Sequence, residues 1–194
     1  TDAANKAYVD SLVAGATPDA STTVKGKIQL AGDLGGTADL PTVPGLANKE
    51  NTIAAIKNQG MLPLFYYEDP TVSLEIVRAL YKGGVRVFEY TNRGKAALDN
   101  FKFLKNALKT EMQDLFLGIG TIKNTDELND FLAADADFIV CPVVDAEVGR
   151  ITHAANKLWI PGCLTPTEIN IAHQMGAGII KLFPANILGP EYLS

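Results

Sequence analysis

One lysine interrupts a stretch in which the other residues are expected to be buried. Lys181 lies in the run Gly-Ile-Ile-Lys-Leu-Phe, residues 178–183, which has the pattern of a buried strand. Removal from water favours the neutral form of an amine, and the neutral amine attacks carbonyl carbon. The position therefore indicates a nucleophile that could form a Schiff base. The alternative is a lysine at a strand end that extends its ammonium group to solvent.

A carboxyl group occupies a similar position earlier in the chain. Glu89 lies in the run Val-Arg-Val-Phe-Glu-Tyr, residues 85–90, which also reads as a strand. Burial raises the pKa of a carboxyl group, and a raised pKa suits a group that passes protons to and from carbon. The alternative is a salt bridge from Glu89 to Arg86 or Arg93.

Four further residues fall where predicted strands end. Arg93 can hold a carboxylate through two parallel hydrogen bonds, or it can pair with an acidic neighbour. Thr121 follows two glycines that would let the backbone approach a ligand, so it could bond to a bound acid or cap the next helix. Pro142 and Phe183 would shape the wall of a pocket, and ordinary packing is the alternative for each.

The elements that would position these residues alternate between short strands and amphipathic helices from residue 51 onward. This alternation is typical of a parallel sheet, whose chemistry gathers where the strands end. Neither a Gly-x-Gly-x-x-Gly turn nor a phosphate-loop motif follows the first strand, which favours a (β/α)₈ barrel of the TIM type over an open doubly wound sheet. The predicted strands are 61–66, 85–90, 115–119, 137–140, 158–161 and 178–183, and the predicted helices are 71–81, 95–108, 125–133, 145–155 and 167–175.

Residues 1–50 differ from the rest in composition. The stretch 15–45 is rich in Gly, Pro, Thr, Ala and Asp, and only 1–12 and 24–30 suggest a helix and a strand. Such a segment buries little apolar surface alone, so it is predicted to be a flexible leader or to order against other copies of the chain. The low-complexity sequence of this segment resembles repeats of phage tail-fibre and bacterial surface-fibre proteins.

Composition excludes several classes of partner. A net charge of -5 and no basic run argue against nucleic acid and anionic membranes, and no apolar stretch reaches the length of a membrane span. His153 and His173 fall within predicted helices without partners at ligand spacing, so no metal site is expected, and exposed or capping roles are predicted for both. Cys141 and Cys163 read as buried reduced thiols, which favours a cytoplasmic location.

From about residue 52 onward the sequence resembles the 2-keto-3-deoxy-6-phosphogluconate aldolases, a family also active as 4-hydroxy-2-oxoglutarate aldolases. The resemblance implies a class I mechanism without cofactor, in which Lys181 forms the imine and Glu89 shuttles protons through water. It rests on motifs in the family's order, which are Gly-Gly-Val-Arg-Val-Phe-Glu-Tyr-Thr-Asn-Arg at 83–93, Gly-Ile-Gly-Thr-Ile at 118–122, Phe-Ile-Val-Cys-Pro at 138–142, Ile-Pro-Gly at 160–162 and Lys-Leu-Phe-Pro-Ala at 181–185.

The same resemblance implies roles for the remaining site residues. Arg93 and Thr121 would hold the pyruvoyl carboxylate, and Pro142 and Phe183 would line the pocket. A homotrimer acting on a small-molecule keto acid is the assembly that the family implies.

Two features depart from the family's pattern. Residues 89–93 read Glu-Tyr-Thr-Asn-Arg where relatives usually have Glu-Val-Thr-Leu-Arg, which leaves the named roles intact. The family continues into a seventh and eighth strand that bind the substrate phosphate, whereas this sequence ends at Ser194, after the sixth predicted strand. Residues 51–194 are therefore expected to form an incomplete barrel of about six βα units with two unpaired edges.

Two hypotheses about function follow. The first is an aldehyde lyase that cleaves 2-keto-3-deoxy-6-phosphogluconate, or a related 2-keto-4-hydroxy acid, to pyruvate and an aldehyde. The second is a phage tail-fibre or surface-fibre protein that carries a truncated, inactive aldolase-like portion.

Overall fold

The computed structural model describes residues 35–37, 40–42 and 44–193, with side chains from 49 to 192. The helix predicted at 1–12 and the strand predicted at 24–30 lie outside the described residues. The chain divides into two compact units, Thr1–Ala47 and Asn48–Ser194. In the first unit, strands β1 (Gly35–Thr37) and β2 (Leu40–Thr42) pair in antiparallel fashion.

Strands and helices alternate along the rest of the chain. None of the helices in the described ranges is long and apolar enough to cross a membrane. In chain order the elements are α1 (Pro44–Gln59), β3 (Leu64–Phe65), α2 (Pro70–Lys82), β4 (Val87–Thr91), α3 (Ala97–Glu111), β5 (Phe116–Gly120), α4 (Thr125–Ala133), β6 (Phe138–Val140), α5 (Ala146–Ala154), β7 (Leu158–Ile160), β8 (Gly162–Cys163), α6 (Pro166–Gln174), β9 (Lys181–Leu182) and the 3₁₀ helices Ala185–Ile187 and Pro190–Leu193.

Capping side chains begin four of the five helices that the sequence predicts. The Asp69 side chain accepts hydrogen bonds from backbone N–H groups in the first turn of α2, and Asn124 and Asp145 do the same for α4 and α5. At α6, Thr165 and Glu168 form a reciprocal capping box. These local signals explain why the predicted helices are confirmed to within three residues at each end.

Helix α1 is not predicted by the sequence analysis. Residues 44–50 belong to the segment expected to be irregular, and 51–59 fall in no predicted element, yet Pro44–Gln59 is helical throughout. The reason is that this helix is weakly amphipathic, so its apolar residues do not form the stripe from which a helix is recognised.

The strands of the second unit are parallel and lie side by side in the order in which they occur along the chain. One sheet has the order β3-β4-β5-β6-β7, and a second pairs β8 with β9. The predicted strand 158–161 corresponds to β7, and the short strand β8 that follows it was not predicted. Pro161 separates the two, and its carbonyl accepts the backbone N–H of Lys181 at 2.9 Å. A doubly wound sheet reverses its strand order, so the predicted barrel topology is confirmed.

The outermost strands are shorter than predicted. β3 and β9 have two residues each, where the sequence predicts six. Each has a partner strand on one side only within the described residues, so fewer backbone hydrogen bonds define it.

Each face of the sheet carries its own apolar core. The outer face packs on the helices and includes Phe88, Tyr90 and Trp159, all fully buried. The inner face holds Val87, Phe138, Val140, Leu158 and Ile160, against which Ile53 and Ile56 of α1 pack. Because successive side chains of a strand point to opposite faces, Glu89 shares the inner face with Val87, and Lys181 shares it with Ile179. The alternation thus places both predicted catalytic residues inside the barrel.

Candidate active site

Glu89 is a buried carboxyl group in the middle of a strand. Its side chain is 2% exposed in the middle of β4. Within the described part of the chain, neither a hydrogen bond nor an ion pair reaches the carboxyl group. Burial raises the pKa of Glu89, and the nearby positive charges of Lys181 and Arg93 offset only part of that effect. The alternative of a salt bridge to Arg86 is wrong, because Arg86 Nε contacts Asp114 Oδ2 at 2.8 Å.

Lys181 and Glu89 line the same cavity. The cavity has a volume of about 220 Å³ and lies on the inner face of the sheet. Its walls include Leu64 of β3, the first strand of the parallel series, and Lys181 of β9, the last strand. The series of strands therefore curves around the cavity. Lys181 and Glu89 are its only charged lining residues in the described structure, and the others are Ile56, Leu62, Leu64, Val140, Ile160, Ile179 and Ile180.

The neighbours of Lys181 along the chain are less buried than expected. The sequence analysis predicts a buried run at 178–183, whereas the structure leaves these residues half-buried or exposed, and Phe183 is 39% exposed. The prediction is wrong because β9 pairs only with β8 in the described residues, so one side of this run has no neighbouring strand. Lys181 itself is half-buried.

Phe183 and Pro142 adjoin Lys181 in different ways. The Lys181 Nζ atom lies 5.1 Å from the centroid of the Phe183 ring, within the range of a cation–π contact. The Pro142 carbonyl packs so closely on Gly162 that a side chain there would overlap it. Gly162 is paired with Lys181 in the β8–β9 register, so Pro142 supports the strand beside the lysine and does not line the cavity itself.

Arg93 and Thr121 follow the ends of β4 and β5. Arg93 is exposed, and its guanidinium has no hydrogen bond or ion pair within residues 49–192. Thr121 has a φ of 66°, an unusual value for a β-branched residue. It does not cap α4, since Asn124 does so. Both residues lie at the carboxyl end of the sheet, and neither lines the cavity.

The two glycines of β5, Gly118 and Gly120, have a packing role that the sequence did not predict. They were expected to admit a ligand, yet a side chain at Gly118 would overlap the ring of Phe138, and one at Gly120 would overlap the carboxyl group of Glu89. Both positions therefore make room for other side chains of the protein. Strict alternation along β5, which puts 116, 118 and 120 on the inner face, is the signal that could have shown this.

The histidines and cysteines lie away from the cavity. His173 is exposed, but the expectation of an exposed or capping role is wrong for His153, whose ring packs edge-on against Trp159 with a centroid distance of 6.0 Å. Cys141 and Cys163 are buried free thiols, as predicted. Among the residues that the structure describes, no cluster of His, Cys, Asp and Glu could hold a metal ion.

Comparison with known proteins agrees with this geometry. Residues 52–192 match the family of KDPG and KHG aldolases, and residues 18–61 match a repeat of unknown function (DUF5907). The match at 18–61 does not show the resemblance to fibre proteins that the sequence suggests. The 2-dehydro-3-deoxy-phosphogluconate aldolase of Treponema pallidum (strain Nichols) is 30% identical over 135 residues, which are 70% of this chain and 62% of that protein.

Solved structures of the same kind are similar in fold. The 2-keto-3-deoxy-6-phosphogluconate aldolase of Zymomonas mobilis ZM4, determined with 3-phosphoglycerate, superposes with a TM-score of 0.61 at 30% identity, covering 68% of this chain and 61% of that one. The KDPG aldolase of Legionella pneumophila, with pyruvate captured at low pH as a covalent carbinolamine intermediate, gives 0.63 at 26% identity, covering 68% and 63%.

A parallel βα barrel with a lysine and a buried carboxyl group facing one cavity defines the class of protein. The chain belongs to the KDPG and KHG aldolase family. It spans about three-fifths of the length of the relatives named above.

Proposed function

We propose that this chain is a class I aldolase that forms pyruvate from a 2-keto-4-hydroxy acid through a Schiff base on Lys181. The observation that carries the proposal is the shared cavity, which Lys181 and the buried Glu89 both line among apolar side chains. The covalent pyruvate adduct of the Legionella pneumophila relative supports the same chemistry.

The reaction begins with attack of the neutral Lys181 amine on the C2 carbonyl of the substrate. The carbinolamine so formed loses water and becomes a protonated imine, which withdraws electrons from C3. A base then removes the proton from the C4 hydroxyl, the C3–C4 bond breaks, and the aldehyde leaves. The bonding electrons pass to the imine nitrogen and give an enamine. Protonation at C3 and addition of water release pyruvate and restore the amine.

Glu89 is proposed as the group that moves these protons. Its raised pKa lets the carboxyl group hold a proton at a higher pH than an ordinary glutamate and then release it within one cycle. Within the described structure no other carboxyl group lines the cavity, so no neighbour could replace it directly.

The remaining site residues are proposed to hold the pyruvoyl half of the substrate. Arg93 offers an exposed guanidinium at the carboxyl end of β4, suited to two parallel hydrogen bonds with a carboxylate. Thr121 would contact the same carboxylate from its unusual backbone conformation. The face of Phe183 would stabilise the positive charge of the imine, and Pro142 would support β8 beside the lysine.

The substrate is proposed to be 2-keto-3-deoxy-6-phosphogluconate or a related 2-keto-4-hydroxy acid, processed without a cofactor. We further propose a cytoplasmic homotrimer, as the family resemblance implies. Residues 1–50 are proposed to form a segment separate from the aldolase portion 51–194. Light scattering of the intact chain and of a version beginning at residue 44, which keeps α1 whole, tests the trimer and the separate segment, because both proteins should have the mass of a trimer.

Exchange of the methyl protons of pyruvate with heavy water tests the proposed chemistry. The exchange needs an imine and a base but no aldehyde, so it isolates the catalytic pair. The wild-type chain should remove the methyl signal in proton NMR faster than buffer does, and Lys181→Met should not. Lys123→Met is the matched control, since Lys123 is an exposed lysine at the same end of the sheet. An inert wild type, or a Lys181→Met variant that exchanges normally, would contradict the proposal.

A further inference from the structure

Gly120 stands against the proposed acid–base residue. It is the last residue of β5 and pairs with Thr91 of β4, whereas Glu89 is paired with Gly118. The Glu89 side chain leans diagonally toward the carboxyl ends of the strands, so its carboxyl group lies over the backbone of Gly120. A Cβ atom at position 120 would overlap Oε1, Cδ and Cγ of Glu89.

The backbone does not itself require glycine at this position. In the part of the chain that the structure describes, the glycines with positive φ are Gly60, Gly84, Gly176 and Gly189, and Gly120 is not among them. An ordinary residue could therefore adopt the backbone conformation of Gly120. What excludes a side chain there is the volume that the Glu89 carboxyl group occupies.

We propose that Gly120 is a positioning residue for Glu89. The absence of a side chain at 120 provides the recess in which the carboxyl group lies, directed toward the cavity that it shares with Lys181. This inference rests on the proposed function, because it concerns the placement of the proposed acid–base group. A methyl group at 120 would force the carboxyl group out of the recess while leaving Lys181 on its own strand.

Gly118 supplies a matched control on the same strand and the same face. A methyl group there would overlap the ring of Phe138, which belongs to the inner core and not to the cavity lining. Gly118→Ala thus introduces a similar overlap in which the nearest atoms belong to Phe138 and not to Glu89. A difference between the two alanine variants would reflect the carboxyl group and not the general effect of overpacking.

The test compares the pH dependence of pyruvate methyl exchange in wild type, Gly120→Ala and Gly118→Ala. Gly120→Ala should lower the exchange rate about 10²-fold, near the lower limit for loss of a positioned acid–base group. It should also remove the part of the pH profile that depends on Glu89. Pyruvate should still be trapped by borohydride. Gly118→Ala should keep the wild-type profile per folded molecule. A Gly120→Ala variant with the wild-type rate and profile would overturn the proposal.

A double-mutant cycle keeps the inference testable if Gly120→Ala folds poorly. Glu89→Ala empties the recess, so Glu89→Ala/Gly120→Ala should have the urea midpoint of Glu89→Ala alone, although Gly120→Ala in the wild-type background lowers it. A double variant as unstable as Gly120→Ala would show that the destabilisation does not come from overlap with the Glu89 side chain, and it would overturn the proposal. This measurement requires no activity. Absence of a borohydride adduct in the wild type would therefore refute the proposed function without deciding the role of Gly120.

Discussion

Replacing Glu89 by glutamine should remove a loss of stability that the wild-type protein undergoes as pH rises toward neutrality. The carboxyl group is 2% exposed and has no hydrogen bond within the described residues. In the unfolded chain it ionises at its ordinary pKa, whereas burial raises the pKa in the folded protein. The stability that Glu89 contributes is therefore complete below the ordinary carboxyl pKa and is lost as pH rises through the raised value. Glutamine does not titrate and avoids this loss.

The size of the effect follows from the environment of the carboxyl group. A buried polar group without a partner costs about 1–3 kcal/mol, and more if it is charged. The positive charges of Lys181 and Arg93 offset part of this penalty. We therefore expect the stability of Glu89→Gln relative to wild type to increase by about 1–2 kcal/mol between about pH 4 and about pH 8.

Urea unfolding of both proteins across this pH range measures the effect. Glu68→Gln is the control, because Glu68 is an exposed carboxyl group just after β3, and its substitution should leave the pH dependence nearly unchanged. A constant difference between Glu89→Gln and wild type at every pH, or a difference that shrinks as pH rises, would refute the reasoning. It would mean that the carboxyl group is hydrated or well paired in the folded protein.

Three further predictions concern the surroundings of the site. Lys105→Met should lower the free energy of unfolding in urea by about 2 kcal/mol. The buried Lys105 places its Nζ atom 3.0 Å from Asp137 Oδ2, and the variant leaves that carboxylate without this partner. Asn100→Ala should lower it by about 1–2 kcal/mol, because the amide donates to the Tyr67 carbonyl beyond β3, and hydrogen exchange there should accelerate. Cys141 should resist thiol reagents in the native protein, because burial raises its pKa to about 12, and a thiol titration shows this directly.

The helices and the inner-face residues could be predicted because their signals are local. Caps such as Asp69 and Asn124 precede the first turns that they serve, and apolar neighbours in one short run mark Glu89 as buried. The regular alternation of elements predicted the parallel sheet, and the absence of a nucleotide-binding turn after the first strand favoured the barrel order. These features depend on residues that are close in sequence.

Other features depend on residues that are distant in sequence, and the sequence analysis missed them. The partner of Arg86 is Asp114, 28 residues away, which a reading of the strand around Glu89 could not identify. The need for glycine at position 120 arises because the Glu89 side chain of the adjacent strand lies over it. The exposure around Lys181 depends on which strands flank β9, which its own residues do not reveal.

The most direct test of the account is to reduce the protein with borohydride in the presence of pyruvate and to map the adduct by peptide mass spectrometry. We expect one modification, with the mass of pyruvate less one oxygen atom, on the peptide that contains Lys181. It should persist in Glu89→Gln, because that variant keeps the amine. An adduct spread over surface lysines, or located on another lysine, would contradict the assignment of Lys181 as the nucleophile.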